Sequence, residues 1–300
     1  PKKILTSIIV NYYNKSIKAN CLTKLHLNKN ISIIQGRTIP SENNSIQSFP
    51  FKNWMKEMEI LKKLKIKKLQ WIYQNNKKNK NPLIIKNFFK KKISIRKKYK
   101  VNINSICADE FIRKPLLNKK GLNLSHFNEL IAIINIANIC HIEYIIIPFV
   151  DNSSIKKLNY NSLLKNFIIQ IYPLLKFYKI ELHLETDIES KKIINIIKNT
   201  NSEKYIKINI DSGNIVSLGL KIKEEIFQAK NLIGSVHIKD RLRFGSTVPL
   251  GYGDVDFELF FKLLKNINYK RDLILQGSRI NNISDDVLVK KYIYFINQYL

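Results

Sequence analysis

Three hundred residues, 45% of them hydrophobic, are enough for one large domain with a sizeable core and exclude a fully disordered chain. No apolar run approaches the roughly 20 residues needed to cross a bilayer as a helix. The formal charge of +29 would suit a polyanion-binding face, but the lysines are spread along the chain among many Ile and Asn. Those three residue types share A/T-only codons, so base composition accounts for the charge without a nucleic-acid partner.

Cys21, Cys107 and Cys140 form no CxxC pair and no metal-finger spacing, which argues against a disulfide framework and for a reducing, cytoplasmic setting. Residues 1–30 form a basic N-terminal extension with no assignable element. The first acidic residue is Glu42 and the first arginine is Arg37. One domain is expected over residues 31–300.

From residue 31 short β-branched runs alternate with longer stretches of helical periodicity. Strands are predicted over 31–35, 67–73, 101–106 and 143–148, then over 180–185, 205–211, 232–238 and 271–276. Phe127, Leu130, Ile131, Ile134 and Ala137 make one helical face, and Leu164, Phe167, Ile168, Ile171 and Leu175 another. Pro173 should kink or shorten the second helix. Ser284, followed by Asp285 and Asp286, reads as the N-cap of the last helix. Alternating β and α units imply a parallel sheet. Eight of them favour a single closed (β/α)8 TIM barrel over a doubly wound open sheet, which a glycine-rich phosphate loop would otherwise have signalled.

Catalytic residues of such a barrel lie at the C-terminal strand ends. In order these are Gln35, Trp71, Cys107 to Asp109, Pro148 to Asp151, Glu185, Asp211, His237 and Gln276. The steps from 185 to 211 and from 211 to 237 are both 26 residues, one βα unit each. Two carboxylates and an imidazole therefore end three adjacent strands and point into one mouth. Such O, O and N donors suit a divalent ion: Mn²⁺ first, with Mg²⁺, Co²⁺ or Zn²⁺ as alternatives. Taken singly, His237 could be a structural core residue, and Asp211 before Ser-Gly-Asn could simply make a turn.

The segments HLETD (183–187), NIDSGN (209–214), GSVHIKDR (234–241) and VPLGYGDVDF (248–257) resemble the sugar phosphate isomerase/epimerase branch of the xylose isomerase-like barrels. IIQGR (33–37), IQSFPFKNW (46–54), SICADEF (105–111) and IIIPFVD (145–151) agree in order and spacing. The resemblance implies four metal ligands, Glu, Asp, His and a final Glu, which fall on Glu185, Asp211, His237 and Gln276. It also implies proton transfer through a metal-stabilised enediolate, with the first and last carboxylates flanking a sugar or sugar phosphate.

Gln276 departs from this pattern. Its amide oxygen can ligate, but it is no base, which leaves Glu185 as the evident proton carrier. One carboxylate serves an isomerisation on one face; a two-face epimerisation needs a second base, for which Asp109 or a metal-bound water is available. Gln70 stands where the resemblance implies Glu.

Arg37, Arg243 and Arg279 are candidate phosphate contacts, and Trp71 either stacks on the sugar ring or plugs the barrel. Lys239 and Asp240 either orient the metal ligands or form an exposed loop pair. Gly251 and Gly253 resemble the family's mouth-closing loop, and His183 packs deeper in the barrel. The expected partner is a small-molecule sugar, with a homo-oligomer compatible. An abasic-site endonuclease would need a histidine-rich trinuclear zinc site, hard to build from five histidines. A decayed barrel that keeps only binding is the other alternative.

Overall fold

The β-branched runs find each other as parallel neighbours. The computed structural model describes residues 30–42, 47–75, 80–85 and 87–300. Its eight parallel strands are β1 (Ile31–Ile34), β2 (Lys68–Ile72), β3 (Asn102–Cys107), β4 (Tyr144–Phe149), β5 (Glu181–Thr186), β6 (Ile206–Asp211), β7 (Ile233–Ile238) and β8 (Leu273–Leu275). They close in the order β1-β8-β7-β6-β5-β4-β3-β2. Pairing of Ile31 with Leu273 seals the ring and decides against an open sheet. The N-terminal extension to residue 29, with Cys21 and His26, lies outside the described residues.

Amphipathic helices cover the strands. Phe127, Leu130, Ile134 and Ala137 of the helix Leu124–Ile139 are buried, with Ile131 half-buried. So are Leu164, Phe167, Ile168, Ile171 and Leu175 of the helix Tyr160–Tyr178. That helix runs through Pro173 without being shortened. Pro173 stands on its exposed side, where water can take the carbonyl that the missing N–H leaves free. Ser284 occupies the N-cap position of the helix Asp285–Asn297 but makes no side-chain capping bond; Asp285 and Asp286 bring negative charge to the first turn instead. No helix among the described residues is long and apolar enough to cross a membrane.

Two irregularities shape the barrel interior. The β6–β7 register slips between Ile208 and Asn209, so Gly234 is the extra residue and Ser235 comes level with Asn209. A Cβ on Gly234 would lie 2.5 Å from His183 Nε2, which is why the bulge carries glycine. His183 is fully buried, stacks on Tyr144 at 4.3 Å and bonds Ser235 Oγ and Glu181. Burial holds its imidazole down at about 4, so it is neutral. The second slip, between β2 and β3, brings Gln70 level with Ser105.

Candidate metal centre

Asp211 ends β6 and is also the N-cap of the helix Ser212–Ser217: its Oδ1 accepts the Asn214 N–H at 2.8 Å. The turn reading of Asp211 holds and leaves room for the ligand reading, because the second oxygen, Oδ2, is buried without a hydrogen-bond partner. Asp211 pairs with His237 across β6 and β7, and Glu185 ends β5 on the other side. One donor atom from each of Glu185, Asp211 and His237 lies within 4.8 Å of the others, and all three residues are buried.

The imidazole is oriented by its neighbours. His237 Nε2 faces the Gln70 amide oxygen at 2.8 Å, and Nδ1 faces the Asn209 amide nitrogen at 3.1 Å. An oxygen can only accept and an amide NH2 only donate, so the proton sits on Nε2. The Nδ1 lone pair then accepts the Asn209 N–H and lies 3.7 Å from Glu185 Oε2, so a bound ion would take the place of that hydrogen bond. Burial lowers the imidazole to about 4, so the ring is neutral and able to ligate.

Glu185 is pushed up to about 8, first by burial and then by the Asp211 carboxylate beside it. Two buried carboxylates this close call for a cation. Lys239 provides a distant one, its Nζ 3.6 Å from Asp211 Oδ2. Asn214 ties the group together, donating from Nδ2 to Glu185 Oε1 at 2.8 Å while its Oδ1 receives Arg241 Nη1 at 3.1 Å. On β8 the Gln276 N–H donates to the Ile238 carbonyl at 2.9 Å. Its side-chain Oε1 is buried with no partner. Two oxygens without hydrogen-bond partners, Asp211 Oδ2 (ion-paired with Lys239) and Gln276 Oε1, with a carboxylate and an imidazole nitrogen, are a donor set that fits a divalent ion.

Above this group opens a cavity of about 1040 Å³. Arg37, Asp109, Asp151, Glu185 and Gln276 line it, together with residues the sequence reading had not selected: Gln47, Asp187, Asn214, Arg241 and Phe244. Three selected residues lie elsewhere. Trp71 is fully buried on the helical side of β2, against Trp54 and Phe88, with Nε1 donating to Asn81 Oδ1 at 2.9 Å. Successive strand residues point to opposite faces, so with Gln70 facing inward Trp71 cannot; it neither stacks on a ligand nor plugs the barrel. Arg243 is exposed on the mouth loop, its guanidinium over the Phe244 ring, and Arg241 takes the place expected for it. Arg279 lies behind the wall, bonding the Gly36 and Ile39 carbonyls and pairing with Asp285.

Lys239 and Asp240 are not the exposed loop pair offered as one alternative. Lys239 lines the cavity, whereas Asp240 is buried and accepts the N–H groups of Gly251, Gly253 and Val255, which pins the mouth loop.

Comparison with known proteins agrees with this fold. A putative L-ribulose-5-phosphate 3-epimerase of Haemophilus influenzae is 34% identical over 73 residues, 22% of this chain and 26% of that one. An inosose dehydratase of Clostridium perfringens is 27% identical over 134 residues, 37% of this chain and 45% of that one. The chain thus spans less than half the length of the curated relatives it matches. The crystal structure of IolI protein with a bound zinc atom superposes with a TM-score of 0.68 at 14% identity, covering 90% of this chain and 99% of that one. Residues 94–284 match the family model of the xylose isomerase-like TIM barrels, a span that runs from before β3 to beyond β8 and takes in every strand end of the metal group. The chain belongs to the xylose isomerase-like TIM barrel family.

Proposed function

We propose that this protein is a divalent-metal-dependent isomerase or epimerase of a sugar or sugar phosphate, working in the cytoplasm. The observation that carries the reading is the convergence of Glu185, Asp211 and His237 within 4.8 Å, with Glu185 and Gln276 lining a cavity large enough for a sugar. A metal held there by Glu185, Asp211, His237 Nδ1 and Gln276 Oε1, Mn²⁺ in the first place, would supply Lewis-acid polarisation of the substrate's oxygens.

The chain's own residues do the rest. Glu185 exchanges a proton with the carbon beside the carbonyl. Asn214 holds its other oxygen, so the carboxylate cannot rotate away. Gln70 and Asn209 fix the His237 tautomer. Lys239, Arg241 and Arg37 line the cavity and give it the positive charge that a phosphorylated sugar requires. The names of the relatives, a sugar-phosphate epimerase and an inosose dehydratase, support a polyhydroxylated carbonyl substrate.

An abasic-site nuclease is disfavoured by where the histidines stand. His126 bonds the Pro115 carbonyl, His141 packs on Phe89, and His183 is held inside the barrel. Among the described residues this is the one three-ligand group found.

The test is Mn²⁺ binding by equilibrium dialysis, together with deuterium uptake at carbon in D2O with L-ribulose 5-phosphate, L-ribulose and D-fructose. One bound ion per chain and Mn²⁺-dependent uptake, lost in Glu185→Gln, are expected. A protein that binds no metal and exchanges no carbon-bound hydrogen refutes the proposal.

A further inference from the structure

We infer that Asp109 is the second proton-transfer residue of the site, replacing the carboxylate that Gln276 lacks, and that Glu185 and Asp109 together epimerise a ketose or ketose phosphate. The inference rests on the proton-transfer reading above and adds the group that would serve the opposite face.

Three features of Asp109 carry it. First, it follows β3 and lines the same cavity as Glu185 and Gln276 while being only 3% exposed, so it meets a ligand there and little else. Second, a short chain of bonds joins it to the departed position. Gln276 Nε2 donates to Gln47 Oε1 at 2.6 Å, and Gln47 Nε2 donates to Asp109 Oδ2 at 2.5 Å. Arg37 Nη2 donates to the same Gln47 oxygen at 2.9 Å, which fixes the amide's orientation. Third, the carboxylate is not used as a helix cap. Asp109 precedes the helical turn Glu110–Arg113, yet its side chain makes no capping bond.

Its two oxygens are held by neutral donors, the Cys107 thiol at 3.0 Å and the Gln47 amide. Burial lifts Asp109 above its ordinary value, opposed by these two donors and by the charges of Arg37 and Lys239.

The step balances as follows. The Glu185 carboxylate takes the proton from the carbon beside the carbonyl, and the C–H electron pair passes into an enediolate. Asp109, protonated, gives its proton to the other face of the same carbon; the enediolate electrons form the new C–H bond and the carbonyl returns. The substrate loses one proton and gains one, and the two carboxyl groups, having exchanged protonation states, re-equilibrate with water. From the other epimer the roles reverse.

The experiment uses the full chain loaded with Mn²⁺ in D2O, with L-ribulose 5-phosphate, L-ribulose and D-fructose as probes. Epimers are separated by chromatography, and deuterium is counted by mass spectrometry. The unaltered protein should form deuterated epimer from at least one probe. Asp109→Asn should form it at least about 100-fold more slowly, while still exchanging deuterium into the starting sugar and binding Mn²⁺ as before. Glu185→Gln should lose both exchange and epimer. Adding Gln276→Glu to Asp109→Asn should restore epimer formation, because the missing carboxylate returns after β8, in the same cavity. Epimer formation by Asp109→Asn within about threefold of the unaltered protein overturns the inference. So does exchange without epimer in the unaltered protein, or loss of Mn²⁺ binding along with exchange in Asp109→Asn, which would make Asp109 a structural support. Absence of exchange with every probe in the unaltered protein instead overturns the underlying proton-transfer reading, and this inference falls with it.

Discussion

Replacing Glu57 by Gln should make the protein more stable at pH 8 and leave it little changed at pH 5. Glu57 lies on the helix Trp54–Lys63 with none of its surface exposed. Its Oε1 accepts the Gly36 N–H at 2.8 Å and the Thr38 hydroxyl at 3.1 Å, so it braces the loop that carries Arg37 into the cavity. That loop needs the brace: Gly36 has φ of +81°, and a Cβ there would lie 2.8 Å from the Ser48 carbonyl oxygen. The second oxygen, Oε2, is buried with no partner. Burial raises the carboxyl from 4.5 to about 7.

The direction of the pH effect follows from that raised value. As pH rises from 4.5 the unfolded chain loses the Glu57 proton first, while the folded protein keeps it until about 7. Stability therefore falls across that window and is level above it. The size of the loss is about 3 kcal/mol, at about 1.4 kcal/mol per pH unit. Gln keeps the accepting oxygen and cannot ionise; its NH2 replaces an O–H that also lacks an acceptor, so the protonated states compare evenly. Urea unfolding followed by Trp54 and Trp71 fluorescence measures both proteins. The difference between variant and parent should grow by about 2–3 kcal/mol between pH 5 and pH 8 in favour of Gln, and every other titrating group cancels from it. A difference that stays constant with pH, or that turns against Gln at pH 8, would refute the assignment of Glu57 as a buried, strained carboxyl.

Gln70→Leu removes the acceptor of the His237 Nε2–H; Mn²⁺ affinity by equilibrium dialysis should fall about 10- to 100-fold, and an unchanged affinity would contradict the tautomer argument. Trp71→Ala should cost about 3–5 kcal/mol in urea unfolding yet leave Mn²⁺ affinity as it was, since the ring packs on Trp54 and Phe88 away from the mouth. Gly234→Ala places a methyl 2.5 Å from the His183 ring; a loss of about 1–3 kcal/mol is expected, and a neutral result would mean that the ring or the bulge yields freely.

What could be read from the sequence was whatever strand register determines. Eight β-branched runs, one βα unit apart, were enough to bring Glu185, Asp211 and His237 to one end of a barrel, because each strand end is fixed by its neighbours' hydrogen bonds. The same rule would have corrected Trp71: if Gln70 reaches His237, the next residue must point outward. Loops follow no such period. Gln47 comes 12 residues after Gln35, and nothing in its spacing says that it returns across the mouth to bridge Gln276 and Asp109. Arg241 and Arg243 sit two apart on one loop, and only the hydrogen bonds of Arg241 to Asn214 and the Gly245 carbonyl decide which one faces the cavity. Asn214 carried no such signal either, because the Asp211 cap uses its backbone N–H, whereas its side chain is what reaches Glu185.

The loss of the last carboxylate at Gln276 reads from sequence as a defect, because the family pattern assigns that base to one strand end. Proton transfer, however, depends on which groups share a cavity, and the loop that delivers Gln47 makes Asp109 and Gln276 neighbours of one amide. A Gln at that corner still offers an oxygen to a metal and a donor to Gln47. A Glu there would be a third buried carboxylate beside Glu185 and Asp211, and it could not donate to Gln47. The substitution therefore removes a negative charge from beside Glu185 and Asp211, and Gln276 is consistent with the inferred site in which Asp109, just after β3, takes the second proton-transfer role.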